Sequence, residues 1–342
     1  MLIELDSDAN LANVKASLQA MGLWTHALHG RPGELPKLLV DPGSRACDLT
    51  ELRRVPGVAG VFVAPSAHPR LDAMGPVVRV REVPIGGPSP VLIAGPCSVE
   101  SESQIQRSAE LVRAAGARFL RGGAFKPRTS PHSFQGAGEV ALRWLRQAAD
   151  AHGLGVVTEA MSESHLESVA RVADIIQVGA RNMQNYSLLH AVGRTGVPVL
   201  LKRGLAATLD EWLLAGEHLL DAGCPGVIFC ERGIRHFDPQ TRFLLDVGAI
   251  TLLRDVYGVP VIADPSHASG RRDMIQRLSL SALAAGACGL IVEAHPNAGE
   301  ACSDGPQQLN PGELLALGAT IGATRRCREE GMIVPLPGRA AM

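Results

Sequence analysis

The chain has 342 residues, a hydrophobic content of 46% and a formal net charge of -1. That length allows one large domain with a small one, and 37 glycines with only 4% aromatic residues suit an α/β protein built on Val, Ile, Leu and Ala rather than an aromatic-rich sandwich. The near-neutral balance excludes a global pull toward nucleic acid, and no apolar run approaches the ~20 residues of a membrane span, so local charge must carry any anion binding.

The opening "MLIELDSDAN" has no basic, then apolar, leader pattern, and a cytoplasmic protein is expected. Residues 1–65 read as β-α-β-β-α-β, the order of a ferredoxin-like domain: "LIEL", a helix with Leu11, Val14, Leu18 and Met21 on one face, "WTHALHG", "KLLVD", "DLTELRRV" and "VAGVFVA". This stretch holds no clustered ionisable set, so binding or assembly is its expected role. Residues 66–90 are rich in Pro and Gly and read as a linker, in which "VVRVREV" alternates as a strand at the floor of the domain that follows.

From 91 to 330 a short β-branched run, a polar end and an amphipathic helix recur. The runs are "VLIAGP", "RFLRGGA", "GVVTEA", "IIQVGA", "VPVLLKR", "GVIFCER", "VPVIADP" and "GLIVEAH", with intervening helices mostly stopped by Gly. Eight such units in about 240 residues predict a (β/α)8 TIM barrel, an open doubly wound sheet being the alternative. The seven cysteines, Cys47, Cys97, Cys224, Cys230, Cys288, Cys302 and Cys327, are odd in number and include no CxxC pair, which speaks against a disulfide framework or a zinc ribbon and leaves most as small buried residues.

Barrel active sites sit where the strands end. Here the ends carry Cys97, Arg121 with Lys126 and Arg128, Glu159, Gln177, Lys202, Glu231 with Arg232, Asp264 with His267, and Glu293 with His295. Cys97, His267 and Glu293 come from runs that become neighbours on closure, and Asp304 follows in the last loop. A thiolate, an imidazole and carboxylates suit a divalent transition metal such as Mn²⁺, Fe²⁺ or Zn²⁺. The plainer alternative is a buried Cys beside a satisfied His. Arg121, Lys126, Arg128, Lys202 and Arg232 form a cationic group, joined by Thr129, that would repel itself without a ligand bearing two anionic groups. Singly, each cation equally suits solvation or a neighbouring carboxylate. No Gly-rich nucleotide loop is present.

Read together, "IAGPCSVES", "FLRGGAFKPRTSP", "TEAM", "QVGARNMQNY", "LLKRG", "CERGIR", "DPSHASG" and "VEAHP" with "SDG" resemble the 3-deoxy-D-arabino-heptulosonate 7-phosphate (DAHP) synthases, in their metal-dependent subclass with a ferredoxin-like N-terminal regulatory domain. The resemblance implies condensation of phosphoenolpyruvate with erythrose 4-phosphate on a divalent metal held by Cys97, His267, Glu293 and Asp304. It implies phosphoenolpyruvate between Arg121, Lys126, Lys202 and Arg232, and the aldose phosphate on Arg128 and Thr129. Lys126 is then the general acid toward the aldehyde, with Glu159 or a water on the metal as base, and His267 counts among the catalytic residues as well as the metal ligands. It further implies tyrosine or phenylalanine as an effector at the N-terminal domain, within a homotetramer. Alternatives are the sister synthase using arabinose 5-phosphate, whose K-A-N-R loop differs from "KPRT" here, a non-catalytic phosphometabolite sensor, and a Schiff-base aldolase working through Lys202.

Overall fold

The computed structural model describes residues 1–28, 34–41, 43–44, 47–126, 132 and 134–329. The chain divides into two compact units, one taking in Met1–Ala67 and the other beginning at His68.

The first unit runs β1 (Leu2–Leu5), α1 (Leu11–Ala20), β2 (Thr25–Leu28), β3 (Lys37–Val40), α2 (Leu49–Leu52) and β4 (Val58–Phe62), the expected succession. Its antiparallel sheet has the order β2-β3-β1-β4, with Ile3 opposite Leu38 and Val61. Alternation sends Ile3, Leu5, Leu38 and Val40 to one face, where they pack with Val14 and Leu18 of α1 and with Leu52. The opposite face leaves Leu39 and Phe62 exposed. Asn10 starts α1 by accepting the Ala12 and Asn13 N–H groups on its side chain.

The second unit opens with α3 (Pro69–Met74), whose first N–H groups, at Arg70 and Leu71, donate to the Glu217 carboxylate. Where one strand is predicted, the chain makes a hairpin of β5 (Val78–Val80) and β6 (Val83–Ile85). The turn needs Arg81 in the left-handed region at φ 52, and its guanidinium is tied to the Leu154 carbonyl at 2.7 Å. Eight parallel strands follow: β7 (Val91–Gly95), β8 (Phe119–Arg121), β9 (Gly155–Glu159), β10 (Ile175–Val178), β11 (Val199–Lys202), β12 (Val227–Glu231), β13 (Val261–Ala263) and β14 (Gly289–Glu293). Pairing of β14 with β7 closes the barrel, as predicted. Its helices include α4 (Glu102–Ala114), α5 (Glu139–Ala151), α6 (Leu166–Ala170), α7 (Tyr186–Gly193), α8 (Leu209–Asp221), α9 (Val247–Thr251), α10 (Pro265–Ser269), α11 (Ile275–Ala284) and α12 (Pro311–Glu329).

Two apolar layers hold this unit. Inside the barrel, Ile93, Phe119, Val157, Leu200, Ile228 and Ile291 pack on Val78, Val80, Val83 and Ile85, so the hairpin plugs the end where the strands begin. Outside, strands and helices share a larger core in which Trp212 of α8 is fully buried and donates to the Leu201 carbonyl at 3.2 Å. Strands buried on both faces must be apolar along their length, which leaves their C-terminal ends for charge. No described helix is long and apolar enough to cross a membrane.

Candidate active site

Gly95 sets the geometry of the first strand end. It sits at φ +148, and a Cβ there would run into the Arg121 carbonyl oxygen, so β7 and β8 approach closely just before Cys97. Cys97 is fully buried. Its Sγ lies 3.1 Å from Asp304 Oδ2, and Lys126 Nζ donates both to Sγ at 3.0 Å and to the Cys97 carbonyl at 2.7 Å. Gln308 joins the two loops by accepting the Cys97 N–H and donating to the Ser303 carbonyl.

Ligand atoms of Cys97, Glu293 and Asp304 lie within 4.8 Å of one another. Glu293, at the end of β14, places Oε1 at 3.2 Å from Arg121 Nη1 and 3.5 Å from His267 Nε2, while Oε2 accepts from Gln307 at 2.5 Å. Although close to these cations, Oε1 is buried without a hydrogen-bond partner, a lone pair turned toward the cluster. His267 stands one step outside the tight group; its Nδ1 is 2.8 Å from Asp264 Oδ2. A carboxylate behind one ring nitrogen is the usual support of a ligating imidazole. An orphaned carboxylate oxygen, a thiol, a second carboxylate and a backed imidazole fit a divalent transition metal.

Electrostatics follow the packing. Burial pushes the Cys97 thiol up to about 12, reinforced by Glu293 and opposed by Lys126. Burial also works against the Glu293 charge, but His267, Arg121 and Lys126 overcome it and hold the carboxyl at about 2. Burial likewise opposes the Asp264 charge, and His267 with Lys202 overrides it, leaving this carboxyl well below its ordinary value. His267 itself is pushed down by burial, against Asp264 and Glu293, toward the neutral form that can bind a metal.

A cavity of about 150 Å³ opens beside this cluster, lined by Arg121, Lys126, Glu159, Gln177, Lys202, Arg232, His267 and Asp304. A larger one, about 440 Å³, lies where the strands begin, between the hairpin and α12, and contains none of these groups. Lining chemistry, not size, marks the smaller as the candidate site. Arg128 and Thr129 fall outside the described residues. Glu159 is fixed by Gln177 Nε2 at 3.1 Å, and a side chain at Gly179 would collide with it.

Several expectations change. The cations are not simply mutually repulsive: Arg121 pairs with Glu293, and Lys202 with Asp264 at 2.5 Å. Glu231 does not face the cavity but binds Arg203 at 2.9 Å, and Arg203 also reaches Asp246. Successive strand residues point to opposite faces, so Arg203 and Glu231 lie behind Lys202 and Arg232. His295 is packed against Glu100 at 3.7 Å. Arg181 and Arg242 line the cavity without having been predicted. Arg181 follows β10 in a short turn, and a scan of residues beyond each strand end would have found it.

Fold and site together define a (β/α)8 barrel enzyme with a cation-lined cavity beside a cluster of potential metal ligands. Residues 70–327 match the DAHP synthetase I family, and the chain belongs to that family. It is accordingly an enzyme of the 3-deoxy-7-phosphoheptulonate synthase class, forming a carbon–carbon bond. Over 234 residues it is 49% identical to phospho-2-dehydro-3-deoxyheptonate aldolase of Thermotoga maritima, covering 68% of this chain and 69% of that one. The crystal structure of the T. maritima DAHP synthase matches with a TM-score of 0.74 and 37% identity over 96% of this chain and 98% of that chain. A 2-dehydro-3-deoxyphosphooctonate aldolase of Acidithiobacillus ferrooxidans is 32% identical over 65% of this chain and 85% of its own length.

Proposed function

We propose that the chain condenses phosphoenolpyruvate with erythrose 4-phosphate to DAHP and inorganic phosphate, the first step of the shikimate pathway. In this proposal a divalent first-row metal is held by Cys97, His267, Glu293 and Asp304. The observation that carries it is that the cavity lined by the Arg121, Lys126, Lys202 and Arg232 cations opens beside the Cys97, Glu293 and Asp304 cluster, with Asp304 on its wall. When bound, the metal supplies Lewis acidity toward the aldehyde oxygen.

The side chains then have distinct tasks. Arg121, Lys202 and Arg232 bind the carboxylate and phosphate of phosphoenolpyruvate through charge-assisted hydrogen bonds, and Arg128 with Thr129 grips the aldose phosphate. C3 of phosphoenolpyruvate attacks the aldehyde carbon, and Lys126 delivers a proton to the aldehyde oxygen as it gains charge. Water adds at the cationic C2 and Glu159 takes one of its protons; the C2–O bond to phosphate then breaks as the C2 hydroxyl becomes the ketone, its proton leaving with the phosphate. Support for Glu159 comes from its place in the cavity wall and its fixed orientation on Gln177.

The first unit is the proposed seat of feedback inhibition by tyrosine or phenylalanine in a homotetramer. Supporting this is a separate four-stranded unit with an exposed apolar sheet face and no described metal-ligand cluster. The identity to a phosphooctonate aldolase keeps arabinose 5-phosphate as the second candidate aldose. Phosphoenolpyruvate consumption should occur with erythrose 4-phosphate and not with arabinose 5-phosphate. Turnover with arabinose 5-phosphate would transfer the assignment to the sister reaction, and none with either would favour a sensor. Added tyrosine or phenylalanine should slow the reaction, and sedimentation should report four chains.

A further inference from the structure

Buried cations in and behind the barrel mouth are compensated unequally. Arg121 is 3.2 Å from Glu293, Lys202 is 2.5 Å from Asp264, and Arg203 is 2.9 Å from both Glu231 and Asp246. Arg232 is as buried as these, at 5% exposure, yet no carboxylate among the described residues lies within ion-pair distance of it. Its guanidinium has one long hydrogen bond, 3.5 Å to the Gly233 carbonyl. What it does have is an aromatic ring: its Cζ lies 4.2 Å from the Phe243 ring centroid.

The ring is held from several sides. Phe243 N–H donates to the Ala268 carbonyl at 2.8 Å, Arg242 N–H donates to the Ser269 carbonyl at 3.0 Å, and Ile234 and Leu244 exchange both backbone hydrogen bonds. The strap from β12 is thus pinned to Ala268 and Ser269 at the end of α10, with Phe243 over Gly233. Arg242, also on the cavity wall, has its Cζ 5.6 Å from the same centroid.

We propose that Phe243 is a positioning residue for anion binding, holding the Arg232 guanidinium through its π-face in place of a counter-ion. A carboxylate partner would occupy the N–H fork and cancel the charge. A ring attracts the cation through its quadrupole, orients the plane and leaves the fork and the full charge for phosphate or carboxylate. Phe243 therefore separates the two jobs of burying a cation and neutralising it. By sharing the ring, Arg242 is set beside Arg232 as a second arm toward the same anion.

This inference rests on the proposed binding of phosphoenolpyruvate by Arg232, and its test is built to separate the two. Phosphoenolpyruvate binding is measured by calorimetry, and steady-state constants are determined, for the wild type, Phe243→Leu, Phe243→Tyr and Arg232→Ala. Loss of a desolvated cation–π contact should weaken phosphoenolpyruvate binding about tenfold in Phe243→Leu and raise its KM alike. The KM for the aldose and kcat should move by less than about twofold, and Phe243→Tyr should bind within about twofold of wild type. Equal losses in the Leu and Tyr variants would show that Phe243 serves only packing and would overturn the proposal. Normal binding by Phe243→Leu, with binding lost in Arg232→Ala, would overturn it while leaving the site reading intact. Normal binding by Arg232→Ala would overturn both.

Discussion

The first unit and the barrel mouth are built on opposite principles. Residues 2–62 close on Ile3, Leu5, Val14, Leu18, Leu23, Leu38, Val40 and Leu52, and among the described residues no charged side chain is buried before Arg121. Apolar burial, at roughly 25 cal/mol per Å², is the main stabilising contribution in its core. At the strand ends, Arg121, Lys202, Arg203, Glu231, Arg232, Asp264 and Glu293 are all withdrawn from water. Each such charge costs several kcal/mol of desolvation that pairing only partly returns. A chain that could fill these positions with Leu or Val, as it does along every strand, keeps ions in and behind the mouth, where the proposed function places an anionic substrate and a metal.

That contrast can be broken most sharply at Glu293. Glu293→Ala removes a proposed metal ligand and leaves Arg121 buried without its partner. Activity should fall by about a thousandfold or more, bound metal should be lost, and urea unfolding should show a destabilisation of about 3–5 kcal/mol. Next comes the pair behind the cavity. Arg203→Met strands Glu231 and Asp246 and should cost about 3–5 kcal/mol, with most of it returned in Arg203→Met/Glu231→Leu, because an apolar pair removes the unpaired charge. In the first unit, Leu18→Ala opens a cavity in an uncharged core and should cost about 2–5 kcal/mol of that unit's stability, read by calorimetry, with metal uptake by the barrel unchanged.

The smallest effect is a pH dependence. Glu293 is held at about 2 against an ordinary 4.5, so its contribution is fully present above pH 4.5 and is lost as pH falls toward 2. Metal-stripped protein should lose melting temperature over that window, and Glu293→Gln should flatten the loss. A Leu18→Ala protein should keep the wild-type slope.

Much of this was legible in the residues because parallel strands buried on both faces leave a plain trace: β-branched runs with one polar group at the end. Cys97, Arg121, Glu159, Lys202 and Glu293 were all visible that way. Glu231 and Arg232 both stand at the end of one run, and since adjacent residues of a strand cannot both face the cavity, alternation gives that place to Arg232 and turns Glu231 to Arg203. The hairpin at Val78–Ile85 read as one strand because its turn contains neither Gly nor Pro; Arg81 takes the left-handed conformation instead. Arg242 and Phe243 were out of reach, since tertiary bonds to Ala268, Ser269 and Gln307 return their strap to the mouth. Local pattern fixes which residues end a strand, and tertiary folding decides which loop comes back to it.

The measurement that tests the central claim most directly is a metal titration. Protein is stripped with EDTA and titrated with Mn²⁺ while bound metal and phosphoenolpyruvate consumption with erythrose 4-phosphate are followed together, in the wild type and in Cys97→Ala. The predicted result is about one ion per chain in the wild type, activity rising in step with occupancy, and neither tight binding nor activity in Cys97→Ala. Full activity in the stripped wild type, or wild-type binding and turnover by Cys97→Ala, would contradict the account.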